Sequence, residues 1–306
     1  MEKYISYNKE VKKAINGWLP IVVLESAGTF EGVSYPDNLR VAENLEKKIR
    51  SYGAVPAFTA VIDGVIKVGL IEEEKERIAN PEKPLLKASR RDLPVLIAKK
   101  ETALTAVAAA MLIADVCKLP VVCGGGIGGV HRDYANCLDV SADLEEFTKS
   151  NVIVVTSGAK TIMDLPFTME YMETKSVPVV GYQIDELPAY LLRSSGLKLD
   201  HRVDSPAEIA GIYKAKNVLG MPGGLLVANP IPEEYSVDAE AMDEAITYAL
   251  EQAKVQNVHG KVVTKFILEI VKQKMGKDSS EAAEQMNYSN AALAARIAVA
   301  VKRLEE

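Results

Sequence analysis

The chain has 306 residues, 48% of them hydrophobic and 25% charged, which excludes a disordered or fibrous protein. Its net charge of -6 excludes a general attraction to nucleic acid or to an anionic membrane, so any phosphate site has to be a local cluster of donors. No run of about 20 apolar residues is free of charge, and no membrane span is expected. The longest candidate, Ala103 to Val116, carries Asp115 and reads as a buried helix. The start, Met1-Glu-Lys-Tyr4, lacks the basic-then-apolar order of a secretory signal. Cys117, Cys123 and Cys137 are too few and too irregular for a disulfide framework or a zinc knuckle. Reduced thiols in a cytoplasmic protein are the expectation.

Ile21-Val-Val-Leu24 reads as the first buried strand, followed by a helix from about Asn38 to Tyr52. Val41, Leu45 and Ile49 recur there every four positions, as one buried helix face requires. Val55 to Leu70 predicts a hairpin with Asp63-Gly64 as its turn. A polar helix near Glu72 to Ala79 and an alanine-rich helix near Thr102 to Cys117 come next. Further strands are expected at 120–123, 152–155, 177–182 and 225–228, and long helices near Ala239 to Lys254 and Ala291 to Leu304. No Pro/Gly/Ser-rich linker or repeat divides the chain. The alternation predicts one α/β domain over residues 1–306, an α/β/α sandwich around a mostly parallel, mixed sheet.

Four of the expected strands end in reactive or glycine-rich sequence: Glu25, Gly124 to Gly129, Ser157 to Lys160, and Asn229-Pro230. Open α/β sheets gather their chemistry just past the carboxyl ends of strands, so these four exits predict one crevice. Lys160 leaves the run Val152-Ile-Val-Val155 through Thr156-Ser-Gly-Ala159. An amine delivered beside apolar strand is desolvated, and the neutral form that results is a nucleophile. Against this stands the commoner fate of lysine, a solvated helix start. Glu25, directly after Ile-Val-Val-Leu, is costly to bury unless it is paired or lines a cleft. Partial burial suits it to donate a proton near neutral pH, whereas pairing with Lys160 or an arginine makes it structural.

The remaining polar clusters each admit two readings. Gly124-Gly-Gly-Ile-Gly-Gly129 has dinucleotide-fingerprint spacing, but Val130-His-Arg-Asp-Tyr134 after it reads as loop rather than the helix that such a site needs. The glycines serve either a tight turn or close approach of backbone amides to an anion, with His131 and Arg132 adding donors. Asp139-Val-Ser-Ala-Asp143 could hold a hydrated divalent metal; equally, Ser141 caps a helix with Asp143 in its first turn. Lys87-Ala-Ser-Arg-Arg-Asp92 is a phosphate clamp or a solvated loop.

Six motifs then occur in order: Glu25-Ser26, Lys87-Ala-Ser-Arg-Arg-Asp-Leu-Pro94, Gly125-Gly-Ile-Gly-Gly-Val-His-Arg132, Asp139-Val-Ser-Ala-Asp-Leu144, Gly158-Ala-Lys160, and Gly224-Leu-Leu-Val-Ala-Asn-Pro-Ile-Pro232. From about residue 18 to 303 the chain resembles the pseudouridine-5'-phosphate glycosidases, the indigoidine-synthase-A-like proteins. The resemblance implies reversible splitting of the C–C glycosidic bond of pseudouridine 5'-phosphate to uracil and ribose 5-phosphate, with a divalent metal such as manganese. It implies Lys160 as nucleophile, Glu25 as proton donor and Asp139 as metal ligand. Lys87, Val107 and Ser141-Ala142-Asp143 match substrate-binding positions, and His131 and Asn290 fall in further family motifs. It also implies a homo-oligomer, a trimer in the family.

The chain departs from the family after Ser26, where Ala27-Gly-Thr-Phe-Glu31-Gly32 stands, at Ala103-Leu-Thr-Ala-Val107, and at Cys123-Gly124. These departures bear on base or sugar preference more than on reaction class. A C-glycoside has no leaving oxygen to protonate, so the paired carboxylates of ordinary glycosidases are insufficient. An acid that opens the ribose and an amine that captures C1 as a Schiff base supply what is missing. The alternatives are a lysine-dependent aldolase or lyase acting on another sugar phosphate, and a non-catalytic phosphosugar-binding paralogue.

Overall fold

The structure, a computed structural model, describes residues 3–132, 138–258 and 263–305. The strands, in chain order, are β1 (Ile5–Tyr7), β2 (Ile21–Leu24), β3 (Val55–Ile62), β4 (Val65–Val68), β5 (Leu86–Ala88), β6 (Ala103–Thr105), β7 (Val121–Cys123), β8 (Val130–His131), β9 (Ile153–Thr156), β10 (Met163–Asp164), β11 (Val179–Tyr182), β12 (Arg202–Val203) and β13 (Leu225–Ala228). One mixed sheet runs β1-β4-β3-β2-β7-β9-β13-β11-β12, with β6 on β3 and β5 on β6; β8 and β10 form a separate pair. From β3 through β2, β7, β9, β13 and β11 to β12 every pairing is parallel. The expected α/β class and mostly parallel sheet are present.

The centre of the sheet is parallel because its strands are apolar on both faces and need cover on both. Val22 and Leu24 point to one side, where the helices Asp37–Ser51 and Lys277–Glu305 lay Val41, Leu45, Ile49, Ala294 and Ile297 over them. Ile21 and Val23 point to the other, against Val11 of the helix Lys9–Asn16 and Ala110 and Met111 of the helix Val107–Val116. The hairpin turns where expected: Asp63 and Gly64 both take positive φ, +51° and +77°, as a two-residue turn between twisted strands requires.

Three expectations need correction. The alanine-rich helix begins at Val107, not near Thr102: Ala103 and Leu104 pair antiparallel with Val61 and Ala60, so ladder bonds override the helix preference of that stretch. The segment expected as loop around Lys87 is β5 followed by a 3-10 turn, Arg90–Asp92. The closing helix spans Lys277–Glu305, and a further helix, Val263–Met275, precedes it. The helices Ala239–Val255 and Val263–Met275 build a third core: Met242, Ile246, Ile267 and Val271 pack on Ile162, Met163, Leu191 and Ile231. This core covers the segments that leave β9 and β13. Among the described residues no helix is long and apolar enough to cross a membrane.

Candidate active site

Strands β2, β7, β9 and β13 lie side by side and parallel, so Glu25, the glycine loop, Thr156–Lys160 and Asn229 leave the sheet at one edge. That is the crevice expected of the four strand exits. Beyond the strands the β7 and β9 segments stay zipped together. Gly124 N donates to Val155 O (3.1 Å), Ser157 N to Gly125 O (2.9 Å), Ile127 N to Gly158 O (3.0 Å) and Lys160 N to Ile127 O (3.1 Å). The glycine loop therefore opens no helix and is the rail that carries Lys160. Gly158 is irreplaceable in this rail: its φ is +74°, and a Cβ there would lie 2.0 Å from Pro188 O.

Glu25 is buried, and one carboxylate oxygen accepts from Gly28 N at 2.8 Å. Burial pushes its pKa up, against the pull of the Lys87 charge, the Gly28 bond and the Lys160 charge. Among the described residues it makes no ion pair at contact distance, so the reading of Glu25 as a structural pair partner does not hold. Lys160 keeps some surface reachable from the crevice, while protein atoms surround its amine. Burial, helped by the Lys87 charge, lowers its pKa from 10.5 to about 8, although Asp143, Glu25 and Glu31 draw it upward. The structure thus holds a weak acid and a largely desolvated amine in one space.

Asp143 braces that space. Its carboxylate accepts from Ala108 N and from Gly128 N, both at 2.9 Å, tying the start of the Val107–Val116 helix to the glycine loop. Ser141 is the N-cap of the helix Ala142–Glu146, accepting from Asp143 N, and a Cβ on Gly128 would lie 2.2 Å from its Oγ. Capping and site-building coincide. Val107 lines the floor, its Cγ2 3.4 Å from where a Cβ on Gly124 would sit, with Glu25 Cγ at 3.5 Å from that point. Lys87 is exposed on β5, and its positive charge lowers the pKa of both Glu25 and Lys160. Ala142 is exposed and offers only backbone.

Asn290 is fully buried and fully engaged. It donates to Gly124 O (3.0 Å) and Gly125 O (3.2 Å), and its Oδ1 accepts from Asn229 Nδ2 (2.9 Å) and Ser157 Oγ (3.3 Å). With its hydrogen-bonding groups occupied, it holds the crevice in shape and has little left to offer a substrate. His131 is buried on β8, paired directly with Met163 of β10, and its Nε2 has no partner among the described residues. His131 N donates to Asp139 O at 2.9 Å; the Asp139 side chain is half-exposed. Among the described residues no three His, Cys, Asp or Glu side chains gather as a metal cage. The Asp139 carboxylate fits only an ion that keeps most of its waters.

Sequence reasoning missed a hydroxyl relay behind Glu25. Thr105 Oγ1 donates to Thr59 O (2.8 Å) and lies 2.9 Å from Thr59 Oγ1, and Thr105 N donates to Ser26 Oγ (2.9 Å). This locks Ser26, and hence the exit of β2, onto β6. The signal was there, polar residues at positions 59 and 105 inside apolar strands, but only the pairing of β3 with β6 brings them together. Tyr190 was missed as well. It comes from the loop after β11, with N donating to Ser157 O at 2.7 Å and its ring against the glycine loop.

A buried acid and a largely desolvated amine, gathered at the carboxyl edge of a parallel sheet, mark the chain as an α/β enzyme with its site at the strand exits. The chain belongs to the family of indigoidine synthase A like proteins, whose family model matches residues 10–300. Pseudouridine-5'-phosphate glycosidase of Petrotoga mobilis is 48% identical over 96% of this chain and 96% of its own. The protein of the same name from Clostridium botulinum is 44% identical over the whole of both chains. Among solved structures, the prealnumycin C-glycosynthase AlnA in complex with ribulose 5-phosphate superposes with a TM-score of 0.92 at 31% identity, covering 99% of this chain and 98% of that one. An indigoidine synthase A-like protein from Thermotoga maritima gives 0.89 at 29%, covering 98% and 97%.

Proposed function

We propose that this chain reversibly cleaves the C–C glycosidic bond of pseudouridine 5'-phosphate, giving uracil and ribose 5-phosphate. The observation that carries the reading is the amine of Lys160 held at about 8 in the same crevice as the raised acid Glu25. Taking about 8 in place of 10.5, the free amine at neutral pH is roughly 300 times more abundant, ten to the power 2.5. Support comes from relatives of nearly full length that bear the name of this activity, and from a structural neighbour that is a C-glycosynthase.

In this reading Glu25 gives its proton to the ribose ring oxygen as the bond from that oxygen to C1 breaks. The Lys160 nitrogen bonds to C1. The nitrogen then returns a proton to the Glu25 carboxylate, which passes it to the base carbon bonded to C1; the C–C bonding pair passes to the base ring, and the freed nitrogen lone pair closes the C=N bond. Uracil departs, and water hydrolyses the imine to release ribose 5-phosphate. Lys87, Ser141 and glycine-loop amides take the phosphate, and His131 supplies a further polar contact through Nε2, which has no partner among the described residues.

The reading includes a divalent metal, manganese in the family, with Asp139 holding it largely through water. When bound, such an ion supplies positive charge beside the phosphate. A cytoplasmic setting fits the free thiols of Cys117 and Cys123, and a homotrimer rests on the family resemblance.

The test is incubation with pseudouridine 5'-phosphate and manganese, followed by borohydride reduction and mass spectrometry. Free uracil and a reduced pentose adduct on Lys160 are expected. An adduct without uracil identifies an aldolase-type lysine enzyme instead; binding with neither identifies a non-catalytic paralogue.

A further inference from the structure

The proposed steps give no task to Tyr190, a polar side chain at the glycine loop. Tyr190 is anchored to the segment that carries Lys160 through its backbone bond to Ser157 O, at 2.7 Å. Its ring lies on the glycine loop: a Cβ on Gly126 would sit 2.7 Å from Tyr190 Cδ2, and one on Gly125 would sit 3.5 Å from Cε2. Only glycines let a ring lie that close to the backbone. Tyr190 also takes φ +60°, a left-handed conformation that a bulky residue adopts only where its surroundings impose it. The side chain is partly accessible, and among the described residues its hydroxyl has no hydrogen-bond partner. Burial, with the Glu25 charge adding to it, raises the phenol to about 12. It therefore remains a protonated donor wherever the enzyme works.

The polar groups that the proposed steps do use divide between sugar and phosphate. Lys160 and Glu25 serve C1 and the ring oxygen, while Lys87, Ser141 and the amides serve the phosphate. A planar base with carbonyl oxygens needs a flat apolar surface and a neutral donor. The Met286 Cε, 3.0 Å from where a Cβ on Gly125 would sit, adds apolar surface beside the same loop.

We propose that Tyr190 is the base-recognising wall of the crevice: its ring lies along the base, and its hydroxyl donates to a base carbonyl oxygen. This rests on the proposed function. The wall sets which ring carbon faces C1, and through the close packing on Gly125 and Gly126 it limits the base to a thin planar ring. Tyrosine suits the task because a rigid ring with few torsions loses little freedom on contact.

The test runs in the synthetic direction, with ribose 5-phosphate and uracil, on Y190F and Y190A. Y190F removes the donor and keeps the ring, so the KM for uracil rises on the order of tenfold, the loss of one neutral hydrogen bond. Y190A removes the stacking surface too and raises it further. In Y190F, the KM for ribose 5-phosphate and the yield of borohydride-trapped adduct on Lys160 stay at wild-type values. An unchanged uracil KM in Y190F, or an equal rise for both substrates, removes Tyr190 from base recognition while the proposed activity stands. Wild-type enzyme that forms the adduct and never consumes uracil overturns the activity and the base wall together.

Discussion

Asn290 donates through Nδ2 to the carbonyl oxygen of Gly124 at 3.0 Å, so the closing helix pins the glycine loop from 166 positions further along the chain. The same side chain holds Gly125, Ser157 and Asn229. Asn290→Ala strands several buried groups at once. It is expected to cost about 2–3 kcal/mol, the penalty for buried polar atoms left without partners. The urea midpoint falls, and turnover falls with it because the rail under Lys160 loosens. A variant as stable and as active as the parent would show that Asn290 clamps nothing.

The dependence of kcat/KM on pH comes from the two shifted groups. Below about 8 the Lys160 amine is increasingly protonated and cannot attack; above its raised pKa Glu25 loses the proton it must give. Activity is therefore bell-shaped, with its maximum between the Glu25 value and about 8, and the two limbs belong to the coupled pair. A rate still rising through pH 10, as an unshifted lysine demands, contradicts the assignment.

Asp143 and Lys87 move that bell in opposite directions. The Asp143 carboxylate stabilises the Lys160 ammonium and opposes ionisation of Glu25, so it raises both pKa values. Asp143→Asn therefore lowers both limbs. Its amide also presents a donor where Ala108 N or Gly128 N already donates, which weakens the brace and lowers kcat.

Lys87→Met, conversely, removes a positive charge that lowers both groups, and both limbs move to higher pH. The KM for the phosphorylated substrate rises at the same time. Paired profiles of the two variants that move together, or not at all, count against a shared electrostatic space.

Two glycines separate steric need from conformational need. Gly158 and Gly196 have almost the same φ, +74° and +76°. At Gly196 a Cβ would meet nothing within 4 Å, so Gly196→Ala costs only the left-handed strain, about 1–2 kcal/mol. At Gly158 the Cβ would collide with Pro188 O at 2.0 Å, so the backbone that carries Lys160 has to move. Gly158→Ala is expected to lose activity altogether and to unfold at distinctly lower urea than Gly196→Ala; equal midpoints would count against the collision.

The sequence by itself determined the class of fold and the edge of the sheet where chemistry collects. Apolar runs such as Ile21–Leu24 and 152–155 can only be buried strands, and residues just past a buried parallel strand must surface in the crevice. Glu25, Lys160 and the glycine loop were legible for that reason. So was Ser141, because a cap acts on amides within its own turn.

Tertiary structure decided everything that depends on partners distant in sequence. Ala103–Thr105 is a strand because β3 offers it a ladder, although its composition favours a helix. Asp143 is a brace because Ala108 and Gly128 turn their amides toward it, and Asn290 is a clamp because a 29-residue helix crosses the loops. Tyr190 reaches the crevice from a loop with no motif to mark it. Hydrogen bonding and desolvation act through space, so the acidity of Glu25 and the free amine of Lys160 exist only once the chain has closed around them.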